Sequence, residues 1–236
     1  MDKSEIAEKT KRAYDKIGSD YDNWYWMKKS KELRADVTRE VMGTLSDEIV
    51  FIGKGVKGKR SAGSEKKEPN NLRILDLCCG TGHLYNELSS LGQYAGLDFA
   101  PSMIKHCKSK YPNGEFVLGN AEKMPFPDNS FDVVICFWSF HHFVYPQEVL
   151  DEIKRVLKPT GFVLIVTFKD TSFNPFAFLG DKFSDAFWGF TTNRYSVKEM
   201  IHLMKRFKRV KIQLFPRRAS FLGLMGIRFM IVTGRK

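Results

Sequence analysis

The chain has no apolar run approaching the ~18–20 residues that a membrane-spanning helix needs. The nearest, Phe221 to Ile227, is far shorter. Its opening, MDKSEIAEKTKR, is charged where a secretory leader would be apolar, so no leader is expected. Four cysteines are present, none at metal-ligand spacing, and the adjacent Cys78 and Cys79 cannot readily form a disulfide with each other. No metal site is expected, and a reduced, cytoplasmic setting is. There is no internal repeat, and no low-complexity tract beyond residues 53–70. Acid is missing from one long stretch: residues 200–236 hold ten Lys/Arg and no Asp or Glu.

That gap localises the formal net charge of +11. Residues 53–70, GKGVKGKRSAGSEKKEPN, add six basic residues against two acidic ones, and the remainder is slightly acidic. A basic end on a near-neutral body fits an anionic partner surface, either lipid headgroups or nucleic acid, or else a solvated charged face. With 236 residues the chain is one domain with at most a modest addition, long enough to bury a substantial core.

The most informative stretch is ILDLCCGTGHL, Ile74 to Leu84. An apolar strand (Ile74, Leu75, Leu77) stops at a turn of small residues, Cys78-Cys79-Gly80-Thr81-Gly82. A helical pattern through Leu84, Leu88 and Leu91 follows. Open α/β sheets bind nucleotide-like ligands at such a turn, because backbone can approach the ligand and free N–H groups point at it. Asp98 closes the next apolar strand, Tyr94 to Leu97, where a carboxylate is placed to accept hydrogen bonds from ribose hydroxyls. A dinucleotide fingerprint would carry a third glycine where Tyr85 stands, which disfavours a nicotinamide dehydrogenase.

The periodicity predicts helices over 4–16 and 30–46, the second presenting Leu33, Val37, Val41 and Leu45 on one face. Residues 53–70 read as a flexible insertion. Strands are predicted near 73–78, 94–98, 115–118, 132–137, 162–168, 210–215 and 228–233, the first five joined by helices into a parallel sheet with right-handed crossovers. The helix at 147–157 presents Val149, Leu150, Ile153, Val156 and Leu157 on one side and ends before Pro159. Ser196-Val197-Lys198-Glu199 is a capping box opening a helix whose buried side is expected to carry Ile201, Met204 and the neighbouring Phe207.

Asp76-x-Cys78-x-Gly80-x-Gly82 resembles the first motif of class I S-adenosylmethionine-dependent methyltransferases, D-x-G-x-G-x-G, with Cys78 in the first glycine place. GLDFAPSM (Gly96 to Met103) resembles the acidic second-strand motif of that family, and GNAEKMPFPDNSFDVVICF (Gly119 to Phe137) its adenine-side motif and fourth strand. FHHF (Phe140 to Phe143) resembles the stretch that follows that strand, and RVLKPTGFVLIVTF (Arg155 to Phe168) the entry to the fifth. AYDKIGSDYD (Ala13 to Asp22) resembles the lid segment of the menaquinone/ubiquinone C-methyltransferase-like group.

The resemblance implies a Rossmann-like α/β fold: a seven-stranded, mostly parallel sheet with helices on both faces and the last strand antiparallel. It divides the chain into a helical lid segment (1–52), the basic insertion (53–70) and a methyltransferase core (71–236) with an acceptor-side insert at 170–195. Phe173, Phe176, Phe178, Phe183, Phe187, Trp188 and Phe190 crowd that insert and suggest an apolar acceptor or a membrane-facing lip.

It also implies S-adenosyl-L-methionine as cofactor. Asp76 would lie near its amino group, Cys78, Cys79, Gly80, Thr81 and Gly82 would form the turn beneath it, and Asp98 would hold the ribose. Asn120, Ala121 and Glu122 would flank the adenine, Phe99 and Met103 would also contact the cofactor, Phe137 and Trp138 would stand near the methyl group unless their rings are simply core, and Tyr14 and Tyr21 would cover the ligand from the lid. An aromatic face suits a sulfonium cation. His141 is the first candidate for a proton-accepting residue facing the acceptor, with Tyr21 second. A tyrosine–histidine latch involving His141 would resemble the one in phosphoethanolamine methyltransferases. The expected activity is methyl transfer to a small apolar or lipid-like acceptor, peripheral on an anionic membrane surface. The alternatives are a phospholipid or small-amine N-methyltransferase, or a cofactor-binding RNA partner. Nucleic acid is the less favoured of these partners.

Overall fold

The computed structural model describes residues 3–23, 31–55, 72–170, 193–215 and 229–236. In chain order the elements are helix α1 (Lys3–Ile17), a 3₁₀ turn (Gly18–Asn23), α2 (Lys31–Gly55), β1 (Leu72–Leu77), α3 (Tyr85–Ser89), β2 (Gly92–Asp98), α4 (Pro101–Lys110), β3 (Glu115–Leu118) and β4 (Phe131–Phe137). A second 3₁₀ turn (Phe140–His142), α5 (Pro146–Val156), β5 (Leu157–Phe168), α6 (Val197–Leu203), a third 3₁₀ turn (Met204–Arg206), β6 (Lys208–Phe215) and β7 (Phe229–Arg235) complete it.

The seven strands form one sheet in the order β3-β2-β1-β4-β5-β7-β6. Its first five strands pair in parallel, whereas β7 runs antiparallel to both β5 and β6. The strand order reverses between β1 and β4, so the carboxyl ends of these two strands diverge and open a crevice there.

Strand alternation builds a core on each face. Leu75, Leu77, Val134, Cys136, Val163 and Ile165 pack on one face with Val149, Leu150, Ile153 and Val156 of α5. Ile74, Val133, Ile135, Phe162, Leu164 and Val166 pack on the other with Val37, Val41 and Leu45 of α2. Each of those three α2 side chains is fully buried, a contribution of roughly 1.5–3 kcal/mol apiece before entropy is charged.

Several elements differ from the sequence reading. α2 continues to Gly55, so residues 53–55 of the expected insertion are helical; its remainder, residues 56–70, lies outside the described residues. Residues 171–192 of the acceptor-side insert, with all seven of its aromatics, also lie outside them. β5 begins at Leu157 rather than near 162, because Leu157 pairs with Phe131 before the register shifts. The capping box forms in both halves: Glu199 N–H donates to Ser196 Oγ at 3.2 Å and Ser196 N–H to Glu199 Oε2 at 2.8 Å. Ile201, expected on the buried side of that helix, is instead 55% exposed. The short helix turns Met200 and Leu203 inward, while Met204 and Phe207 beyond it are buried as expected.

Candidate active site

β1 delivers Asp76 and the turn that follows it to the crevice, and the turn is held open by unusual backbone. Cys78, Gly80 and Gly82 all have positive φ, at 61°, 53° and 74°. A Cβ on Gly82 would lie 2.9 Å from the Tyr111 ring, so glycine is required there on two counts. A Cβ on Gly80 would meet nothing within 4 Å, and Gly80 lines a cavity, so its missing side chain leaves room for a ligand to reach backbone. The departure at Cys78 now has a physical reading: an L-residue sits where the left-handed region favours glycine.

Asp98 ties this turn to its neighbours. Oδ2 accepts from Gly80 N–H at 2.9 Å and Oδ1 from Ala100 N–H at 3.0 Å. Its carbonyl oxygen accepts from Gly119 N–H at 2.9 Å. Burial pushes the Asp98 carboxyl up, and the backbone donors pull it back down. A carboxylate offers about four lone-pair directions, so these two N–H contacts leave acceptor capacity facing the cavity that Asp98 lines. Asp76 is also buried; Tyr94 Oη donates to its Oδ2 at 3.0 Å, yet burial still raises its pKa to about 7.

The residues expected beside the adenine stand on a fixed loop. Asn120 Oδ1 accepts from Glu122 N–H at 3.0 Å, so one acceptor direction of that amide is already used. Arg155 secures the segment beyond it, donating to the carbonyls of Met124 at 3.0 Å and Phe126 at 2.8 Å. Glu152 Oε2 completes the clamp by accepting from Met124 N–H at 2.6 Å.

Hydrogen bonds dock the N-terminal segment onto this frame. Asp15 Oδ1 accepts from Ser102 N–H at 3.0 Å, in the first turn of α4. Thr81 Oγ1 donates to Asp22 Oδ1 at 2.8 Å. Tyr14 Oη lies 2.8 Å from His142 Nε2. Burial raises the Tyr14 pKa well above its ordinary value, and that of Tyr21 to about 12, so both are neutral phenols near neutral pH.

Together these elements enclose a cavity of about 530 Å³. Of the residues singled out from sequence, Tyr14, Tyr21, Asp76, Cys78, Cys79, Gly80, Thr81, Asp98, Phe99, Met103, Asn120, Ala121, Glu122 and Phe137 all line it. Gly82 and His141 are not among the lining residues. His141 packs against Phe168, with ring centroids 4.6 Å apart, and is 4% exposed. Burial, then the neighbouring His142 and Arg194, depress its pKa well below the usual value, which leaves a weak base away from the cavity. Its neighbour His142 takes the cavity wall, because successive residues of the 3₁₀ turn point in different directions.

The sequence reading missed Arg34 and His83, which line the cavity, and favoured His141 over His142, which lines it too; Trp138, expected with Phe137 near the methyl group, is also on the wall. Arg34 carried a signal: it precedes Val37, Val41 and Leu45 at helical spacing, which places a cation on a buried apolar face. Trp138 has φ 52°, a turn that brings its ring out of β4 against Phe137 and Phe229.

A search of protein families matches residues 75–165 to the methyltransferase domain. Residues 75–165 form a class I methyltransferase domain. Domains of this class take their methyl group from S-adenosylmethionine. The sheet order and the antiparallel β7 are those of the class.

The methyltransferase domain also carries the similarity to curated proteins. One relative, the demethylmenaquinone methyltransferase of Renibacterium salmoninarum, is 35% identical over 105 residues, covering 44% of this chain and 44% of that protein. The chain thus matches less than half the length of this relative. Among solved structures, the YcgJ protein of Bacillus subtilis superposes with a TM-score of 0.58 at 18% identity, over 81% of this chain and 98% of that one. The [4+2]-cyclase SpnF superposes equally well, with a TM-score of 0.58 at 17% identity over 71% of this chain and 76% of that one. At these identities the likeness is one of fold, and the cyclase shows that the fold alone does not set the reaction.

The residues present fit the methyl donor of the methyltransferase class. Room for a ligand opens in front of Gly80, the Asp98 carboxylate stands beside it, and Asp76 supplies a buried acid at the same turn.

Proposed function

We propose that this chain transfers a methyl group from S-adenosylmethionine to a small apolar or lipid-like acceptor. The observation that carries the reading is the closure of one cavity by the turn after β1, Asp98 and the N-terminal segment through Tyr14 and His142. When bound, S-adenosylmethionine supplies an electrophilic methyl on a sulfonium that leaves readily. The protein's part is then to align the two partners and exclude water.

Asp98 holds the ribose hydroxyls, and the backbone around Gly80 admits the ligand's approach. Ala121, Phe99 and Met103 form the adenine wall. Phe137 and Trp138 offer ring faces to a cationic centre. Tyr14 and Tyr21 cover the site as neutral phenols, which donate hydrogen bonds but do not take protons near neutral pH. The proton-accepting role first sought at His141 falls to His142, whose imidazole lines the cavity. Phe143, Val144 and Tyr145 extend the wall beyond it and support an apolar acceptor.

The resemblance to demethylmenaquinone methyltransferases favours a ring carbon of a lipid-like molecule as the methylated atom. A phospholipid or small-amine N-methyltransferase is the second reading, favoured by the Tyr14–His142 pair.

The basic C-terminal region supports an anionic partner less than its composition indicates. Arg206 pairs with Asp151, while Lys211 and Arg235 reach Glu48 at 2.7 and 2.6 Å. Lys208 and Arg209 stand exposed on β6, the sheet's edge, where charge discourages pairing with another chain. This weighs against the RNA-partner reading and leaves a smaller charge for peripheral contact with an anionic membrane. Among the described residues, no helix is long and apolar enough to cross a membrane.

The cofactor half of the proposal is tested by thermal unfolding with S-adenosylhomocysteine and with NADH. S-adenosylhomocysteine should raise the melting temperature by mass action. Stabilisation by NADH alone would overturn the reading.

A further inference from the structure

One strand residue behind the cavity wall acts on a residue within it. Tyr94 is not among the lining residues, yet its Oη donates to Asp76 Oδ2 at 3.0 Å, and Asp76 does line the cavity. Tyr94 is buried in β2, and that burial, joined by the charge of Asp76, raises its pKa well above the ordinary value. The phenol therefore keeps its proton, and the bond has a fixed direction, from hydroxyl to carboxyl.

The strand register explains how the phenol reaches its partner. Asp76 of β1 and Gly96 of β2 are direct partners, and Tyr94 lies two residues before Gly96 on the same face. A Cβ on Gly96 would stand 2.8 Å from Tyr94 Oη, so the missing side chain is the passage by which the hydroxyl crosses from β2 to β1. Edge-to-face contacts seat the ring, with centroids 5.0 Å from Tyr85 and 5.5 Å from Phe116. Tyr85, standing where a dinucleotide fingerprint would carry glycine, thus packs this phenol into place.

The surroundings of Asp76 otherwise disfavour its charge. Burial pushes its carboxyl up, the Tyr94 hydrogen bond pulls it down, and the nearby Asp98 carboxyl pushes it up again. The thiols of Cys78, Cys79 and Cys136 also feel its charge, and each is held in its neutral form, chiefly by burial at Cys78 and Cys136 and by the Cys107 thiol at Cys79. Among these groups Tyr94 is the one that favours the carboxylate, and a hydrogen bond to an ionised acceptor in a buried site is a strong one.

We propose that Tyr94 is a positioning residue for Asp76: its hydroxyl, reaching across Gly96, orients the carboxyl on the cavity wall and keeps it charged for a cationic group of the methyl donor. The inference rests on the S-adenosylmethionine reading above. It gives Gly96 a role as well, since any side chain there would close the passage.

Tyr94→Phe keeps the ring and its edge contacts and removes the hydroxyl, so two readouts on the full chain separate positioning from packing. Carbon-13 NMR of the ligand-free chain follows the Asp76 carboxyl, assigned by its loss in Asp76→Asn. In Tyr94→Phe it should titrate about one pH unit higher than in the unaltered chain. Titration calorimetry with S-adenosylhomocysteine, which carries an ammonium, should show the variant binding about five-fold more weakly at pH 7. At pH 8.5, where the carboxyl is mostly ionised in both chains, the two should agree within about two-fold. On an Asp76→Asn background, Tyr94→Phe should leave the pH profile unchanged. An unmoved carboxyl titration, or a loss of affinity equal at every pH, would assign Tyr94 to packing and overturn the proposal. Failure of the unaltered chain to bind S-adenosylhomocysteine would overturn the methyl-donor reading; a carboxyl titration that still moves would then keep Tyr94 as the residue that sets the charge of Asp76.

Discussion

The phenol oxygen of Tyr14 lies 2.8 Å from Nε2 of His142, joining α1 to the turn after β4 across the mouth of one cavity. The bond links residues 128 positions apart, so the N-terminal segment is fastened to the cavity wall that follows β4. Tyr14→Phe removes it while keeping the ring contact with Tyr21, whose centroid is 6.1 Å away. A net hydrogen bond is worth about 1 kcal/mol, so S-adenosylhomocysteine should bind about five-fold more weakly. Amide exchange in residues 3–17 should speed up correspondingly in the bound state. Unchanged exchange and affinity would show that the bond does not hold the lid.

Asp98→Ala acts on both the fold and the ligand. It strips the partner from the half-buried N–H of Gly80 and the buried N–H of Ala100, and the buried one alone costs about 1–3 kcal/mol when left unpaired. Urea unfolding should show a clear loss of stability. The rise in melting temperature caused by S-adenosylhomocysteine should largely vanish, because the ribose acceptor is gone. A full ligand-induced rise in the variant would remove Asp98 from the site.

Asp76 makes the site pH-dependent near neutrality. Its folded pKa is raised from 3.8 to about 7, chiefly by burial. A carboxyl raised on folding contributes stability that is fully present below its unfolded pKa and is lost as pH rises through the folded one. The ligand-free protein should therefore lose stability between about pH 4 and pH 7 from this group, and Asp76→Asn should flatten that slope. A ligand ammonium favours the ionised acid, so S-adenosylhomocysteine affinity should climb as pH rises through about 7 in the unaltered chain only. Parallel pH profiles for chain and variant would contradict this.

Cys78 has φ 61° in the turn that follows β1. The left-handed region costs an L-residue about 1–2 kcal/mol, and the greater unfolded freedom of glycine offsets about 0.5–1 of that. Cys78→Gly should be neutral to stabilising by up to about 1 kcal/mol, with ligand binding kept. Cys78→Val should be strongly destabilising, since a β-branched side chain tolerates this backbone worst. Chemical denaturation of the two variants checks the order.

Glu48 fastens α2 to the far edge of the sheet. Burial pushes its carboxyl up, but hydrogen bonds from Lys211 and Arg235 outweigh that and hold its pKa below the usual value. Such a group contributes stability above its unfolded pKa of 4.5, lost as pH falls through the lower folded pKa. Glu48→Gln should cost about 3 kcal/mol by leaving Arg235 without its charge partner on this helix. It should also reduce the acid sensitivity of unfolding.

The parts of this molecule that were legible in the sequence are those whose cause is local. Strand periodicity, the Gly80–Gly82 turn, the capping box at Ser196 and the strand-end position of Asp98 each follow from neighbours within a few residues. What stayed hidden depends on contacts distant in the chain. His141 and His142 are equivalent in composition, and only packing against Phe168 sends one inward and leaves the other on the cavity wall. Ile201 and Met200 differ by one helical step, and the shortness of α6 decides which is buried. The pairing of Arg206, Lys211 and Arg235 was hidden because their partners Asp151 and Glu48 lie far away in sequence.

The central claim is that this cavity moves a methyl group onto an apolar acceptor, and labelled methyl transfer tests it most directly. The full chain would be incubated with methyl-labelled S-adenosylmethionine and, separately, total lipid, RNA and water-soluble metabolite fractions. Label should enter the lipid fraction and be lost in the Asp98→Ala and His142→Ala variants. Label entering RNA, or no fraction labelled while S-adenosylhomocysteine binds, would contradict the account.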